Sequence, residues 1–174
     1  MKFTQEYLLS VFDYNSETGV LKYKHRPLNH FKTKSAHTNW NNNKAGKVLN
    51  YVGNHGYIEV SLDYKKHLAH RLIWLMIYGE IPREIDHRNG IKTDNKLLNM
   101  LNSDRVSNCR NLPLRKSNKL GITGVRSRRY GYEVYIHNKG SLINLGNTKD
   151  FFEAACLRKS AERKFGFSLN HGRK

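Results

Sequence analysis

The sequence predicts an α+β protein in two modules, on three observations. Residues 67–79, HLAHRLIWLMIYG, and 150–166, DFFEAACLRKSAERKFG, carry apolar side chains at helical spacing. Short segments elsewhere alternate apolar and polar residues with the period of two that marks strands. A basic stretch without periodicity, PLRKSNKL at 113–120, separates two different rhythms. The expected division is therefore residues 1–112, a linker at 113–120, and residues 121–174. The last of these is expected to be a three-stranded antiparallel sheet packed on one helix.

In chain order, TQEYLLSVFDY (4–14) predicts a helix capped by Thr4, with Tyr7, Leu8 and Phe12 at helical spacing. SETG breaks it, and VLKYK (20–24) reads as a short strand. Residues 26–47 are polar, rich in Asn and poorly periodic, which predicts a loop, one that a bound partner could order. Trp40 within it reads either as a core anchor or as a base-stacking residue. Ile58, Val60 and Leu62 alternate on one face of a hairpin. The helix at 67–79 follows, with Leu68, Leu72, Leu75 and Met76 as its apolar stripe and Gly79 as its stop. His70 and Arg71 fall at its start, a position expected to be solvated.

EIDH then ends a strand with Asp86 and His87 side by side. A polar loop, the strand LLNML, and a short helix containing Arg105, Asn108 and Cys109 complete this part, with Ser103 as the expected cap. Beyond the linker, Val125, then Val134 and Ile136, then Ile143 and Leu145 are expected to face a helix capped by Asp150. Its packing face is read as Phe151, Ala154, Leu157, Ala161 and Phe165.

The chain carries 31 Lys and Arg against 14 Asp and Glu, a formal charge of +17. That excess suits a polyanion, most simply nucleic acid; a generic basic protein is the plainer alternative. Residues 105–174 hold 16 basic and 4 acidic side chains, so the stronger phosphate affinity is expected there. Two cysteines, Cys109 and Cys156, supply neither a four-ligand zinc cluster nor a disulfide framework. No apolar run approaches a membrane span, and the first residues show no leader core. The expectation is a soluble protein of a reducing compartment.

Asp86, His87 and Asn108 together suggest phosphodiester chemistry. A phosphodiester resists attack because its charge repels the nucleophile and its alkoxide leaves poorly. A carboxylate and an amide oxygen are hard ligands suited to a divalent cation, and a neutral imidazole can deprotonate water. Strand alternation sends Asp86 and His87 to opposite sides unless the strand bends or ends there.

The stretch AHRLIWLMIYGEIPREIDHRNGIKTDNKLLNMLNSDRVSNCRN (69–111) resembles the HNH core of bacteriophage homing-type endonucleases. The matching elements are His70-Arg71-Leu72, Gly79 to Pro82, Ile85-Asp86-His87, Gly90, Asp94-Asn95, Asn99 and Asn108. The resemblance implies the ββα-metal fold for a nuclease module within 1–112. It implies His87 as general base, and Asp86 and Asn108 as ligands of a divalent cation, Mg2+ or Mn2+. Asn99 is implied to brace the loop, with Asn95 and Gly90 shaping it. Arg71 and Arg105 are candidate DNA contacts. The location implied is the cytoplasm of a bacterial host.

Residues 121–167 resemble the plant ethylene-response-factor type of DNA-binding domain, through Gly124-Val125-Arg126, Tyr130-Gly131, Ile136, Leu145-Gly146 and Glu153-Ala154-Ala155. That resemblance implies a sheet lying in the DNA major groove. Alternation then turns Arg126, Arg128, Glu133, Tyr135, His137 and Asn144 outward, and all but Glu133 are candidate DNA contacts. The usual tryptophans of the plant sheet are absent.

The expected activity is thus a metal-dependent DNA endonuclease acting on double-stranded DNA as a monomer. Two rivals remain: a non-catalytic DNA-binding regulator with a decayed nuclease core, and an RNA-binding basic protein.

Overall fold

A computed structural model describes residues 3–173. The chain forms two compact units, Met1–Asn102 and Ser103–Lys174. The division falls before the segment read from sequence as a linker. That segment is tied into the second unit, where Leu114 N–H donates to Arg173 O at 2.7 Å.

In the first unit, helix α1 (Gln5–Val11) starts where Thr4 Oγ1 accepts the Tyr7 N–H. It stops before Phe12, short of the expected 4–14. Strand β1 (Phe12–Tyr14) takes over and pairs antiparallel with β2 (Leu21–Tyr23). Phe12 enters the core from the strand, stacked on Tyr23 at 5.5 Å.

Residues 26–47 are not the expected loop. Helix α2 (Lys34–Lys44) runs through them, capped by Thr33, whose side chain accepts the Ala36 N–H. Its anchor is polar: Asn41 is buried and exchanges two hydrogen bonds with the Arg26 backbone, at 2.9 and 3.0 Å. An Asn anchor leaves no apolar periodicity to read. Trp40 packs against the core and meets Tyr23 edge-on at 5.1 Å, which fits the anchor reading.

Strands β3 (Glu59–Leu62) and β4 (Lys65–Leu68) form an antiparallel hairpin, so His67 and Leu68 belong to a strand and helix α3 (Ala69–Tyr78) starts two residues later than expected. Leu72, Ile73, Leu75 and Met76 bury its apolar stripe, and Gly79 caps it with a left-handed backbone. Strand β5 (Glu84–His87) pairs with β6 (Met100–Ser103). The expected strand LLNML is strand only from Met100 onward; Leu97–Asn99 forms a 3-10 turn.

The second unit opens with α4 (Arg105–Cys109). Its cap is Asp104, which accepts the Ser107 N–H at 2.7 Å, and not Ser103, which ends β6. Strands β7 (Val125–Arg128), β8 (Gly131–Asn138) and β9 (Ser141–Thr148) form the expected antiparallel sheet, against which α5 (Phe151–Lys164) packs.

The packing face of α5 differs from the expected stripe. Phe151 and Leu157 are exposed, and the buried positions are Ala154, Arg158, Ala161 and Glu162. Arg158 Nε donates to Glu162 Oε1 at 2.9 Å and its Nη1 to Tyr135 O at 2.8 Å. A buried ion pair one helical turn apart carries the sheet contact, so a stripe chosen by hydrophobicity misses it.

Candidate active site

His87 ends β5, where the burial alternates: Ile85 and His87 are buried, and Asp86 between them is half-buried. The alternation weighed from sequence is therefore kept to the strand's last residue. His87 is 3% exposed. Its Nε2 lies 3.1 Å from Asn95 Oδ1. An amide oxygen only accepts, so Nε2 carries the proton and Nδ1 is the basic nitrogen of the ring.

The loop between β5 and β6 is closed by one side chain. Asn99 Oδ1 accepts the Asn89 N–H at 3.0 Å, and Asn99 Nδ2 donates to Asp94 O at 2.7 Å. The Asn99 carbonyl accepts the Arg88 N–H at 2.8 Å. One residue thus ties both ends of the loop to the start of β6. Gly90 turns the chain with φ +72°, its N–H donating to His87 O at 2.7 Å. Asn89 Nδ2 reaches Asp94 Oδ2 at 2.7 Å across the same loop.

The N-terminal hairpin supports this loop from outside the motif. Tyr14 Oη donates to Asn95 O at 2.8 Å, and Leu97 N–H to Ser16 O at 3.0 Å. Burial, with Tyr78 and Asp94 nearby, pushes the Tyr14 hydroxyl up to about 12, so it stays a donor. A Cβ on Gly19 would stand 2.6 Å from Lys96 N, so only glycine admits this approach at φ +75°. Nothing in the sequence links residues 14–19 to 95–97.

Two further residues of the site were not anticipated. The expected solvated helix start is buried: His70 is 4% exposed, and its ring lies 5.4 Å from His87, edge to face. Tyr57 adds a third ring, 4.9 Å from His70 and 6.0 Å from His87. Burial, then the neighbouring His87 and Arg71, lowers the His70 pKa to about 3. Burial, and then Asp86, raises that of Tyr57. Arg71, a candidate DNA contact, spends its Nη2 on Pro82 O at 3.2 Å, holding the turn that leads into β5.

Asn108 is half-buried and Arg105 exposed, both on α4 in the second unit. In the sheet of that unit, Arg126 pairs with Glu133, Arg128 with Gly131 and Tyr135 with Asn144. Directly opposed residues share a face. Val125, Val134 and Ile136 are buried, while Arg126, Arg128, His137 and Asn144 are exposed. A bulge between Val134 and Tyr135 interrupts the β8–β9 register. The Arg126 guanidinium lies 4.2 Å over the Tyr135 ring, and Arg128 Nε donates to Glu133 Oε2 at 3.0 Å.

The donor chemistry fits a hard cation. Among the described residues no group of three or more His, Cys, Asp or Glu is placed to hold a metal. Both cysteines are exposed. A single carboxylate such as Asp86 matches how Mg2+ is held, through few protein oxygens, water and substrate phosphate.

Residues 67–106 match a family model described as HNH endonuclease. The match takes in His70, Asp86, His87, Asn95 and Asn99 and stops before Asn108. It supports a nuclease with DNA as substrate, and nucleases of this type generally use a divalent metal. No curated protein and no solved structure matches the chain.

The loop brace has a measurable cost. Asn99→Ala removes two side-chain hydrogen bonds at once and is expected to destabilise the chain by about 2–3 kcal/mol. Thermal melting reads this as a fall of roughly 4–10 °C. An unchanged melting temperature would mean the loop is held by other contacts.

Proposed function

We propose that the chain is an HNH endonuclease of the homing type that hydrolyses phosphodiester bonds of double-stranded DNA, acting as a monomer in the cytoplasm of a bacterial host. The observation that carries this reading is His87 at the end of β5, its Nε2–H held by Asn95 beside Asp86, inside the segment that matches the family.

His87 Nδ1 takes a proton from water, and the water oxygen forms a bond to phosphorus. The P–O3′ bond breaks, and the 3′ oxygen leaves and takes a proton from solvent water. Attacking and leaving oxygens lie at opposite ends of phosphorus in such a displacement. The base and the cation ligand therefore need not share a strand face, and Asp86 and His87 do not. Asp86 would hold the divalent cation, Mg2+ or Mn2+, with Asn108 the second ligand that the sequence pattern implies; when bound, its charge would stabilise the phosphate in transition and the departing oxygen. The role of Asn108 rests on its place in the sequence pattern.

The second unit is read as the part that reads DNA. Arg126, Arg128, Tyr135, His137 and Asn144 form its contact face, and Arg105 adds a phosphate contact. Exposed guanidinium groups suit guanine edges and phosphates. Arg71, whose Nη2 also holds the turn at Pro82, is a further candidate DNA contact.

The chemistry of the cut ends tests the reaction. Nicked plasmid is expected to carry 5′-phosphate and 3′-hydroxyl ends that DNA ligase reseals directly. Ends carrying 3′-phosphate would contradict departure of the 3′ oxygen.

A further inference from the structure

His70 is not needed by the reaction as described, and its surroundings are unusual. Its Nδ1 is buried and has no hydrogen-bond partner among the described residues. An unsatisfied buried nitrogen is destabilising, whereas phenylalanine would fill the same space with no such loss. The ring stands edge to face with that of the base, 5.4 Å between centroids, with Tyr57 closing the third side at 4.9 Å.

We propose that His70 is a positioning residue of the cleavage centre: its Nδ1 accepts one hydrogen bond from the water that His87 deprotonates. This rests on the nuclease reading. One water has two protons. Donating one to His87 Nδ1 and the other to His70 Nδ1 fixes its orientation and turns an oxygen lone pair outward, toward phosphorus. Two acceptors that share a water stand about 4.5–5 Å apart, a span that ring nitrogens at this ring separation can provide. A buried water also needs at least two polar partners, and the two imidazoles supply them. His70 suits an accepting role because burial keeps it neutral. The effect of the second imidazole is on geometry, with His87 remaining the base.

The test compares the full wild-type chain with His70→Phe, His70→Asn and His70→Ala. Each is followed by thermal melting, by DNA binding in a gel shift, and by single-turnover plasmid cleavage at saturating protein. Phenylalanine keeps the ring contact and loses the acceptor. Its melting temperature and DNA affinity are expected to hold while the cleavage rate falls by about tenfold to a hundredfold. Asparagine places an amide oxygen near the position of Nδ1 and is expected to cleave faster than alanine. A His70→Phe chain that cleaves like wild type overturns the proposal. If phenylalanine prevents folding, equal rates for asparagine and alanine overturn it. A wild-type chain that binds DNA and never cleaves it removes the nuclease reading first, and this role with it.

Discussion

His87→Ala is expected to bind DNA as the wild-type chain does and to cleave it about a hundred to ten thousand times more slowly. The range is that of a general base removed from an otherwise intact site. The side chain is buried at the end of β5 and bonds to Asn95, so its loss also leaves Asn95 Oδ1 without that donor. Melting and gel-shift measurements on the same preparation separate this from unfolding. A variant that folds, binds and cleaves within about threefold of wild type would remove His87 from the reaction, since no general base contributes so little.

Asp86→Ala is expected to bring cleavage to background at any Mg2+ concentration, a loss of about a thousandfold or more. Asp86 is half-buried and sits between two buried residues of β5, so its removal should spare the core. Its importance lies in charge: a neutral side chain there offers a hard cation no carboxylate. Asp86→Asn keeps an oxygen and loses the charge. It is expected to retain a little activity and to need more metal, read as a rightward shift of the Mg2+ or Mn2+ titration. Unchanged titration curves for both variants would place the cation elsewhere.

How much of this was legible in the sequence depended on what held each part together. Helix α3 was legible because apolar side chains at helical spacing also bury it. The strands of the sheet β7–β8–β9 were legible because Val125, Val134 and Ile136, read from alternation as inward, are the buried apolar positions. Helix α2 was not, because it is anchored by Asn41 and a Thr33 cap. The face of α5 was misread for the same reason, since its buried centre is Arg158 with Glu162. Polar anchors leave no periodicity.

In the site, Asp86, His87 and the loop residues stood together in one recognisable stretch. Asn95 and Asn99 differ in what they hold, which only geometry shows: Asn95 holds the ring of His87, and Asn99 holds the loop. The contributions of Tyr14, Gly19 and Tyr57 come from segments distant in sequence. The buried state of His70 was hidden by its place at a helix start, where a polar residue is ordinarily solvated. A weak signal was present: an Ala before it and Leu72 and Ile73 after it place that helix start against the core.

The most direct measurement is incubation of the full chain with supercoiled plasmid and host genomic DNA, with Mg2+, with Mn2+ and with EDTA. The expected result is metal-dependent conversion to nicked or linear product, abolished by EDTA and by His87→Ala. A wild-type chain that binds DNA tightly and leaves it intact with every metal would contradict it and would favour a DNA-binding regulator.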